Sequence, residues 1–204
     1  MLVLHNMQMS GNCYKVRLTA RQVGVPIRLE DYPVNGTKTR TPEFLKKNPN
    51  GRVPLLELED GRCLAESDAI ISYLAEGSPL VPRDPWARAK MLEWMFFEQY
   101  SHEPYIAVVR FLLTEAKPEV REQRRSTIPD LQARGNAALS VMETHLAGNN
   151  WFAGNQYSLA DIALYGYTHA AEEGGFELKR YPAVSAWLKR VAGEPNHIPL
   201  SESW

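Results

Sequence analysis

The stretch VPLLELEDGRCLAESDAIISYL, residues 53–74, decides the fold because two strand patterns, a tight turn and a helix pattern follow one another without interruption. Apolar and polar residues alternate on both sides of Asp60-Gly61, a dipeptide that is preferred in hairpin turns. The segment SDAIISYLAE, which begins at Ser67, then reads as a helix. This stretch therefore predicts an antiparallel hairpin that leads directly into a helix.

The residues before this stretch alternate between strand and helix patterns. LVLHN at 2–6 and IRLEDY at 27–32 read as strands, and the helical run between them stops at GVP, residues 24–26. A second helix, TPEFLKKN, takes Thr41 as its N-cap and the proline after it as its first residue. The order β-α-β-α-β-β-α predicts an α/β domain over residues 1–76, with two parallel strands and an antiparallel hairpin at the edge.

The residues after the stretch 53–74 show almost no strand pattern. GSPLVPRDPW, residues 77–86, is rich in proline and glycine and predicts a linker. A helix opened by Asp84-Pro85 runs towards Pro104, which should kink or end it. Further helices are predicted at about 105–115, 119–147, 158–173 and 181–192. We therefore expect an all-α second domain over residues 87–204.

Composition narrows the classes of function. Of the 204 residues 44% are hydrophobic and the net charge is -1, which favours neither a nucleic acid nor an anionic membrane surface. No apolar run approaches the roughly 20 residues of a membrane span, and the first residues lack a signal-peptide pattern. Cys13 and Cys63 suggest no disulfide framework, and the histidines show no metal-ligand spacing. We expect a cytoplasmic protein without a metal.

Two segments carry a family resemblance. The order of the elements, NPNGRVPLLELEDGRCLAESDAIISYL at 48–74 and NNWFAGNQYSLADIAL at 149–164 resemble the cytosolic glutathione S-transferases, and the likeness covers the whole chain. The resemblance implies a thioredoxin-like N-terminal domain, an all-helical C-terminal domain and glutathione as co-substrate. It also implies a homodimer, and the closest type is a bacterial member of the serine type.

Glu66 and Ser67 stand where the second hairpin strand gives way to a helix. We expect Ser67 at the N-cap, where its hydroxyl and the first free N–H groups of the helix favour a bound carboxylate. Serine at an N-cap also stabilises a helix by about 1 kcal/mol without any ligand, so these two residues alone do not decide between structure and binding. The resemblance implies binding, with Ser67 on the γ-glutamyl carboxylate and Glu66 on the ammonium group.

The Val53-Pro54 pair reads as an ordinary strand start when it is taken alone. The resemblance implies a cis bond before Pro54, which leaves the N–H and C=O of Val53 free to pair with the cysteinyl backbone of glutathione. At the other end of the peptide, Arg52 can meet the glycine carboxylate, and Lys38 is the second candidate for that role.

SGNCYK, residues 10–15, holds the candidate catalytic residues. Ser10 lies six residues before Val16, where serine-type members of the resembling family carry their active residue. Its hydroxyl can donate to the glutathione sulfur, with the dipole of the following helix adding to the effect. Asn12 is a second possible donor and is similar to bacterial members that reduce disulfides through bound glutathione. We expect Cys13 to be a packing residue rather than a reactive thiol.

These residues predict a glutathione transferase in which Ser10 stabilises a thiolate that attacks a small hydrophobic electrophile. Tyr105 and Phe111 are candidates for the pocket of that second substrate. Two alternatives stay open. One is a glutathione-dependent disulfide reductase or thiol transferase, and the other is a non-catalytic interaction module with the same fold.

Other residues of the second half favour structural roles. Asp161 in SLAD can reach back to the Ser158 N–H as a capping box. His102 fits a structural histidine better than a catalytic base. Several aromatic residues and one methionine read as packing residues, and those on the first helix of this half fit either the core or a dimer interface: Trp94, Met95, Phe97, Trp151, Tyr157 and Trp187.

Overall fold

The computed structural model describes residues 1–34 and 37–202 of the chain. They form two compact units. Unit 1 holds residues 1–81 together with the chain from Pro195 onward, and unit 2 holds residues 82–194. The boundary between the units falls inside the predicted linker.

The final segment of the chain belongs to unit 1, whereas the sequence predicts one helical domain over 87–204, whose last two residues lie outside the described part. The Tyr14 hydroxyl donates to the Ile198 carbonyl over 2.6 Å, and Nη2 of Arg17 donates to the Leu200 carbonyl over 3.0 Å. These partners are more than 180 residues apart in the sequence, so no local pattern could indicate the pairing.

Unit 1 is built on a four-stranded sheet of order β2-β1-β3-β4. The first pair, β1–β2, is parallel and the pairs β1–β3 and β3–β4 are antiparallel, which confirms the predicted arrangement. The hairpin strands are shorter than predicted because the Leu58 N–H already bonds the Arg62 carbonyl and Gly61 turns the chain with φ 84°. The strands are β1 Leu2–Asn6, β2 Ile27–Asp31, β3 Leu55–Glu57 and β4 Cys63–Ala65.

The helices of unit 1 begin and end at residues that local chemistry selects. Ser10 caps the first helix by accepting from the Cys13 N–H, and Gly24 ends it in the left-handed conformation at φ 71°. Thr41 caps the second helix by accepting from the Phe44 N–H, as predicted. The helices are α1 Gly11–Val23, α2 Pro42–Lys47 and α3 Ser67–Ala75.

The strand register brings three parts of the chain to one edge of this sheet. His5 of β1 lies opposite Leu55 of β3, and Leu55 lies opposite Ala65 of β4. The loop that follows β1, the Val53-Pro54 pair before β3 and the Glu66-Ser67 pair after β4 therefore lie at the same edge. Ser10, Glu66 and Ser67 belong to these three parts, and Asn12 follows Ser10 in the first turn of α1.

Unit 2 is all-helical within the described residues. A π-helical turn at Glu98–His102 interrupts the first long helix just before Pro104, close to the predicted kink. The helix predicted over 119–147 is two helices, because the chain passes through a 3₁₀ turn at Arg125–Thr127 before Pro129 starts a new first turn. The helices are α4 Pro85–Phe97, α5 Glu103–Thr114, α6 Pro118–Arg124, α7 Ile128–Leu146, α8 Leu159–Thr168 and α9 Pro182–Ala192.

Asp161 is the polar centre of the unit 2 core. Its fully buried carboxylate accepts from the Ser158 N–H, the Ser158 hydroxyl, the Phe152 N–H and Nε1 of Trp187, at 2.9 to 3.3 Å. The Ser158 contacts confirm the predicted capping box. Since a buried carboxylate without donors would be strongly unfavourable, these four contacts tie the start of α8 to α9 and to the preceding loop.

The surface of unit 2 exposes one apolar stripe, formed by Leu92, Phe96 and Tyr100. These residues are four apart, so they lie on one side of α4 and the turn that follows it. Trp94 and Met95 are buried in the core. Among the described residues, none of the helices combines the length and apolar character that crossing a membrane requires.

Candidate functional site

Ser10 lies in the turn between β1 and α1, at the edge of the sheet. Its N–H donates to the Met7 carbonyl over 3.0 Å, and its side-chain oxygen accepts from the Cys13 N–H over 3.3 Å. The O–H of Ser10 donates to no atom of the described residues. The side chain is therefore held in place as an acceptor while its proton remains available to another acceptor.

Cys13 lies one helical turn further along α1 and is fully buried. Its sulfur accepts from the Met7 N–H over 3.3 Å. Burial raises the pKa of this thiol to about 11, and the hydrogen bonds from Met7 and Ser10 oppose that shift only in part. Cys13 is therefore a neutral packing residue at physiological pH, as the sequence predicts.

Ser67 and Asn12 are joined by a hydrogen bond. The Ser67 hydroxyl donates to Oδ1 of Asn12 over 3.3 Å, which links the start of α3 to the first turn of α1. Ser67 is buried and Asn12 is half-buried. The structure thus brings together a predicted carboxylate ligand and a predicted sulfur ligand.

Glu66 rather than Ser67 is the N-cap of α3, so the predicted capping role of Ser67 is wrong. Ser67 is the first helical residue, and its hydroxyl points to Asn12 instead of to a free N–H of its own helix. Glu66 is exposed and holds φ 68° and ψ 119°, a backbone conformation that residues with a Cβ rarely adopt. Such outliers cost about 1 to 3 kcal/mol and concentrate at functional sites.

Lys15 also belongs to this cluster, although no sequence pattern indicates it. Its ammonium is fully buried and lies 3.4 Å from Oδ1 of Asp68 and 3.5 Å from Oγ of Ser67. Burial raises the pKa of Asp68, and the ammonium of Lys15 opposes this shift. A lysine in the middle of a helix is usually a surface residue, so only the packing of α1 against α3 reveals the pair.

The Val53-Pro54 peptide bond is cis. Neither the N–H nor the C=O of Val53 bonds to any other group within residues 1–34 and 37–202. Both backbone groups of Val53 are therefore available to an extended ligand at this edge of the sheet.

Arg52 and Lys38 lie on exposed segments of unit 1. Lys38 starts the 3₁₀ turn Lys38–Arg40, and the Arg52 carbonyl accepts from Nδ2 of Asn48 over 2.8 Å. Neither side chain forms an ion pair with the described residues.

Tyr105 and Phe111 both lie on α5 of unit 2, six residues apart. This spacing places them about 120° apart around the helix, so they do not share one face. Tyr105 is half-buried beneath the Arg134 guanidinium, whose carbon lies 5.7 Å from the ring centroid, and Phe111 is 38% exposed. His102 is buried and its Nε2 lies 2.8 Å from the Thr168 hydroxyl, which fits a structural histidine.

The described residues contain no group of three or more His, Cys, Asp or Glu side chains that could hold a metal ion. The polar groups at this edge of the sheet are the hydroxyls of Ser10 and Ser67, the amide of Asn12, the carboxylate of Glu66 and the buried ammonium of Lys15.

A thioredoxin-like α/β unit followed by an all-helical unit defines the class of cytosolic glutathione S-transferases. A family model described as the N-terminal domain of glutathione S-transferase matches residues 4–82, and one described as the C-terminal domain matches residues 92–195. The chain belongs to the glutathione S-transferase family.

Solved structures and sequence relatives agree with this family membership. A glutathione S-transferase from Pseudomonas fluorescens Pf-5 is 48% identical, with a TM-score of 0.94 over 98% of this chain and 99% of that one. A possible glutathione S-transferase from Rhodopseudomonas palustris is 47% identical, with a TM-score of 0.96 over 100% of this chain and 91% of that one. The glutathione S-transferase-like protein LUC7 of a Fusarium species is 33% identical over 218 residues, which cover 97% of this chain and 95% of that protein.

Proposed function

We propose that the chain is a cytoplasmic glutathione transferase in which Ser10 stabilises the thiolate of bound glutathione for attack on a small hydrophobic electrophile. The observation that carries the proposal is the Ser10 hydroxyl, which is fixed at the start of α1 and keeps its proton free of acceptors among the described residues. A thiolate placed there would accept that proton and would lie at the positive end of the helix dipole.

The free energy needed to ionise the thiol of bound glutathione is within the range that a charge-assisted hydrogen bond supplies. A free thiol has a pKa of about 8.5, so only about 3% of it is ionised at pH 7. Lowering the pKa by about two units makes the thiolate the majority form and requires about 2.7 kcal/mol. One charge-assisted hydrogen bond supplies about 1.5 to 3 kcal/mol, and Asn12 is a second candidate donor.

Glutathione would be bound through its cysteinyl unit and through the residues on both sides of that unit. Ser67 would bind the γ-glutamyl carboxylate, Glu66 the ammonium group and the free backbone groups of Val53 the cysteinyl unit. These roles are supported by the common edge of the sheet and by the buried cation next to Ser67. Arg52 or Lys38 would bind the glycine carboxylate.

Unit 2 would supply the contacts to the electrophile and the surface for a homodimer. Tyr105 and Phe111 remain candidates for contact with the electrophile, on the ground of their position after SHEPY. The exposed stripe Leu92, Phe96 and Tyr100 supports a homodimer, because neighbouring exposed apolar side chains of this size favour burial against a second chain.

A glutathione-dependent disulfide reductase is the second candidate. Asn12 favours it, since an asparagine at this position is similar to bacterial members of the family that reduce disulfides through bound glutathione. The first step differs in the atom that the thiolate attacks, and reduction then requires a second glutathione, which resolves the mixed disulfide and leaves as oxidised glutathione. A non-catalytic interaction module is the third possibility, and the free Ser10 proton and the strained Glu66 argue against it.

A turnover screen with glutathione separates these candidates. Aryl halides, epoxides and isothiocyanates test conjugation, and hydroxyethyl disulfide tests reduction. Ser10→Gly is the informative variant, because glycine replaces a serine N-cap with a loss of only a few tenths of a kcal/mol. We expect Ser10→Gly to lower turnover on the order of tenfold to a hundredfold and to raise the pKa of bound glutathione.

Cys13→Ala is the matched control within the same helix turn. It should leave turnover near the parent level, since the thiol is buried and neutral and its sulfur accepts a hydrogen bond from the Met7 N–H within the turn. The Ser10 assignment is wrong if Cys13→Ala abolishes turnover in a folded protein while Ser10→Gly and Asn12→Ala leave it near the parent level. Glutathione binding without turnover of any substrate would favour the interaction module.

A further inference from the structure

The Lys15 ammonium is a buried cation that pairs with a carboxylate of which one oxygen is unsatisfied. It lies in the interior between α1 and α3, 3.4 Å from Oδ1 of Asp68. The second oxygen of that carboxylate, Oδ2, is buried and has no hydrogen-bond partner among the described residues. A pair optimised only for stability would satisfy both oxygens, since buried ion pairs offset their desolvation through complete hydrogen bonding.

The ammonium instead directs a second contact to Ser67. Its nitrogen lies 3.5 Å from Oγ of Ser67, the atom whose proton points to Oδ1 of Asn12. An ammonium can only donate, so Oγ of Ser67 acts as the acceptor towards Lys15 and keeps its own proton for a different acceptor. Lys15 thus sets the direction in which the Ser67 hydroxyl can donate.

We infer that Lys15 is a positioning residue that acts through Ser67 and gives the site its preference for a ligand carboxylate. The inference rests on the proposed function and deepens it: the carboxylate concerned is the α-carboxylate of the γ-glutamyl unit, and Lys15 does not touch it. The ammonium holds the Ser67 hydroxyl as a donor and adds a positive charge behind it. This charge has no role at the cysteinyl or glycine end of the peptide.

The test compares two variants that differ only at Lys15. Removing the lysine alone would leave the Asp68 carboxylate buried without its cation, so both variants carry Asp68→Asn, and the parent, in which the pair is intact, is measured beside them. The first is Asp68→Asn, and the second is Lys15→Met with Asp68→Asn. Calorimetry measures the binding of glutathione and of an analogue in which γ-aminobutyrate replaces the γ-glutamate, so that only the α-carboxylate is missing.

We expect the methionine variant to bind glutathione about tenfold more weakly than Asp68→Asn alone, as is typical for the loss of one charge near a partly buried ion. Both variants should bind the analogue equally. A merely structural role for Lys15 would weaken both ligands alike, and that result would overturn the inference. Equal binding of glutathione by the parent and by the methionine variant would overturn it as well.

A third variant separates the effect of the charge at position 15 from the effect of losing a hydrogen-bond donor there. Lys15→Gln with Asp68→Asn keeps a donor at the same position without the charge, and thermal melting verifies the fold of each variant. It should also bind glutathione more weakly than Asp68→Asn alone while binding the analogue equally, and full affinity for glutathione would contradict the role of the charge. If the parent itself binds no glutathione, the proposed function fails and the inference fails with it. If the parent binds but the ligand difference is absent, the inference alone fails.

Discussion

Nη2 of Arg17 donates a hydrogen bond of 3.0 Å to the carbonyl of Leu200, which fixes the end of the described chain to the first helix of unit 1. The same guanidinium bonds the Gln8 carbonyl over 2.9 Å and the Asn6 side chain over 3.3 Å. Gln8 belongs to the turn that carries Ser10. One buried cation therefore holds both this turn and the C-terminal segment.

Replacement of Arg17 should weaken unit 1 strongly. Arg17→Met removes the buried donor to the Gln8 carbonyl and leaves the Leu200 carbonyl with Nε2 of Gln8 alone, so we expect a loss of about 3 kcal/mol in the free energy of unfolding, measured in urea. Arg21→Met is the control, because the pair between Arg21 and Glu202 is more than 40% exposed on both sides. It should change the free energy by less than about 1 kcal/mol. Equal effects of the two changes would contradict the role of Arg17.

The two cysteines should differ sharply in reactivity. With its pKa raised to about 11, the buried Cys13 is ionised to only about one part in a thousand at pH 8. Cys63 is half-buried, so it should react first with iodoacetamide in the native protein. Mass spectrometry of the alkylated peptides measures both sites. Labelling of Cys13 as fast as Cys63 without denaturant would show that the thiol is accessible.

Cys13 should also make stability depend on alkaline pH. The folded thiol ionises at about 11 against 9.0 for an unperturbed one, so between these values the unfolded chain loses this proton and the folded chain keeps it. The contribution is complete below about pH 9 and is lost towards pH 11, by up to about 1.4 kcal/mol per pH unit. The difference between the parent and Cys13→Ala in urea unfolding measures it. A difference that stays constant from pH 8 to 11 would refute the assignment.

The Asp161 carboxylate should contribute more to stability than an exposed cap. Asp161→Ala removes the acceptor of four buried donors, and we expect it to lower the free energy of unfolding by at least about 3 kcal/mol. Asp84→Ala is the matched change, because Asp84 caps α4 through one exposed bond of 2.8 Å to the Ala87 N–H. It should cost about 1 kcal/mol. Comparable losses would mean that the buried contacts contribute little.

The exposed stripe on α4 should control the oligomeric state. Phe96→Ser removes the central side chain of the stripe, which is 70% exposed, and light scattering should then give the mass of one chain, 23.1 kDa, at concentrations where the parent gives twice that mass. Trp86→Ser is the control, since Trp86 is similarly exposed at 74% but lies off the stripe. A parent of single-chain mass at micromolar concentration would contradict the homodimer.

The sequence predicts those features that depend on neighbouring residues. Thr41 caps α2, Gly61 turns the hairpin and Gly24 ends α1, because each relies on contacts or backbone angles within a few residues. The prediction that Ser67 caps α3 was wrong, because the hydrogen bond from Ser67 to Asn12 outweighs the preference of serine for the N-cap. A local preference of about 1 kcal/mol yields to tertiary contacts of similar size.

The buried cations could not be predicted, because their burial depends on parts of the chain that are distant in the sequence. Lys15 and Arg17 occupy a helix in which charged residues would ordinarily mark the solvent-facing side. Their environment exists only after α3 and the C-terminal segment pack against α1. Every residue from Cys13 to Ala20 is buried in the structure, so this helix must enclose its charges with partners.

The backbone of Glu66 has a consequence for efforts to improve this protein. Glycine adopts φ 68° without the steric conflict that a Cβ creates, so Glu66→Gly would relieve local strain and raise the melting temperature. A selection for heat resistance alone would therefore enrich glycine here and discard the one acidic side chain that is proposed to meet the ligand ammonium. Any directed evolution of the scaffold needs a ligand-binding step in every round, because thermal selection and binding selection act in opposite directions at this position.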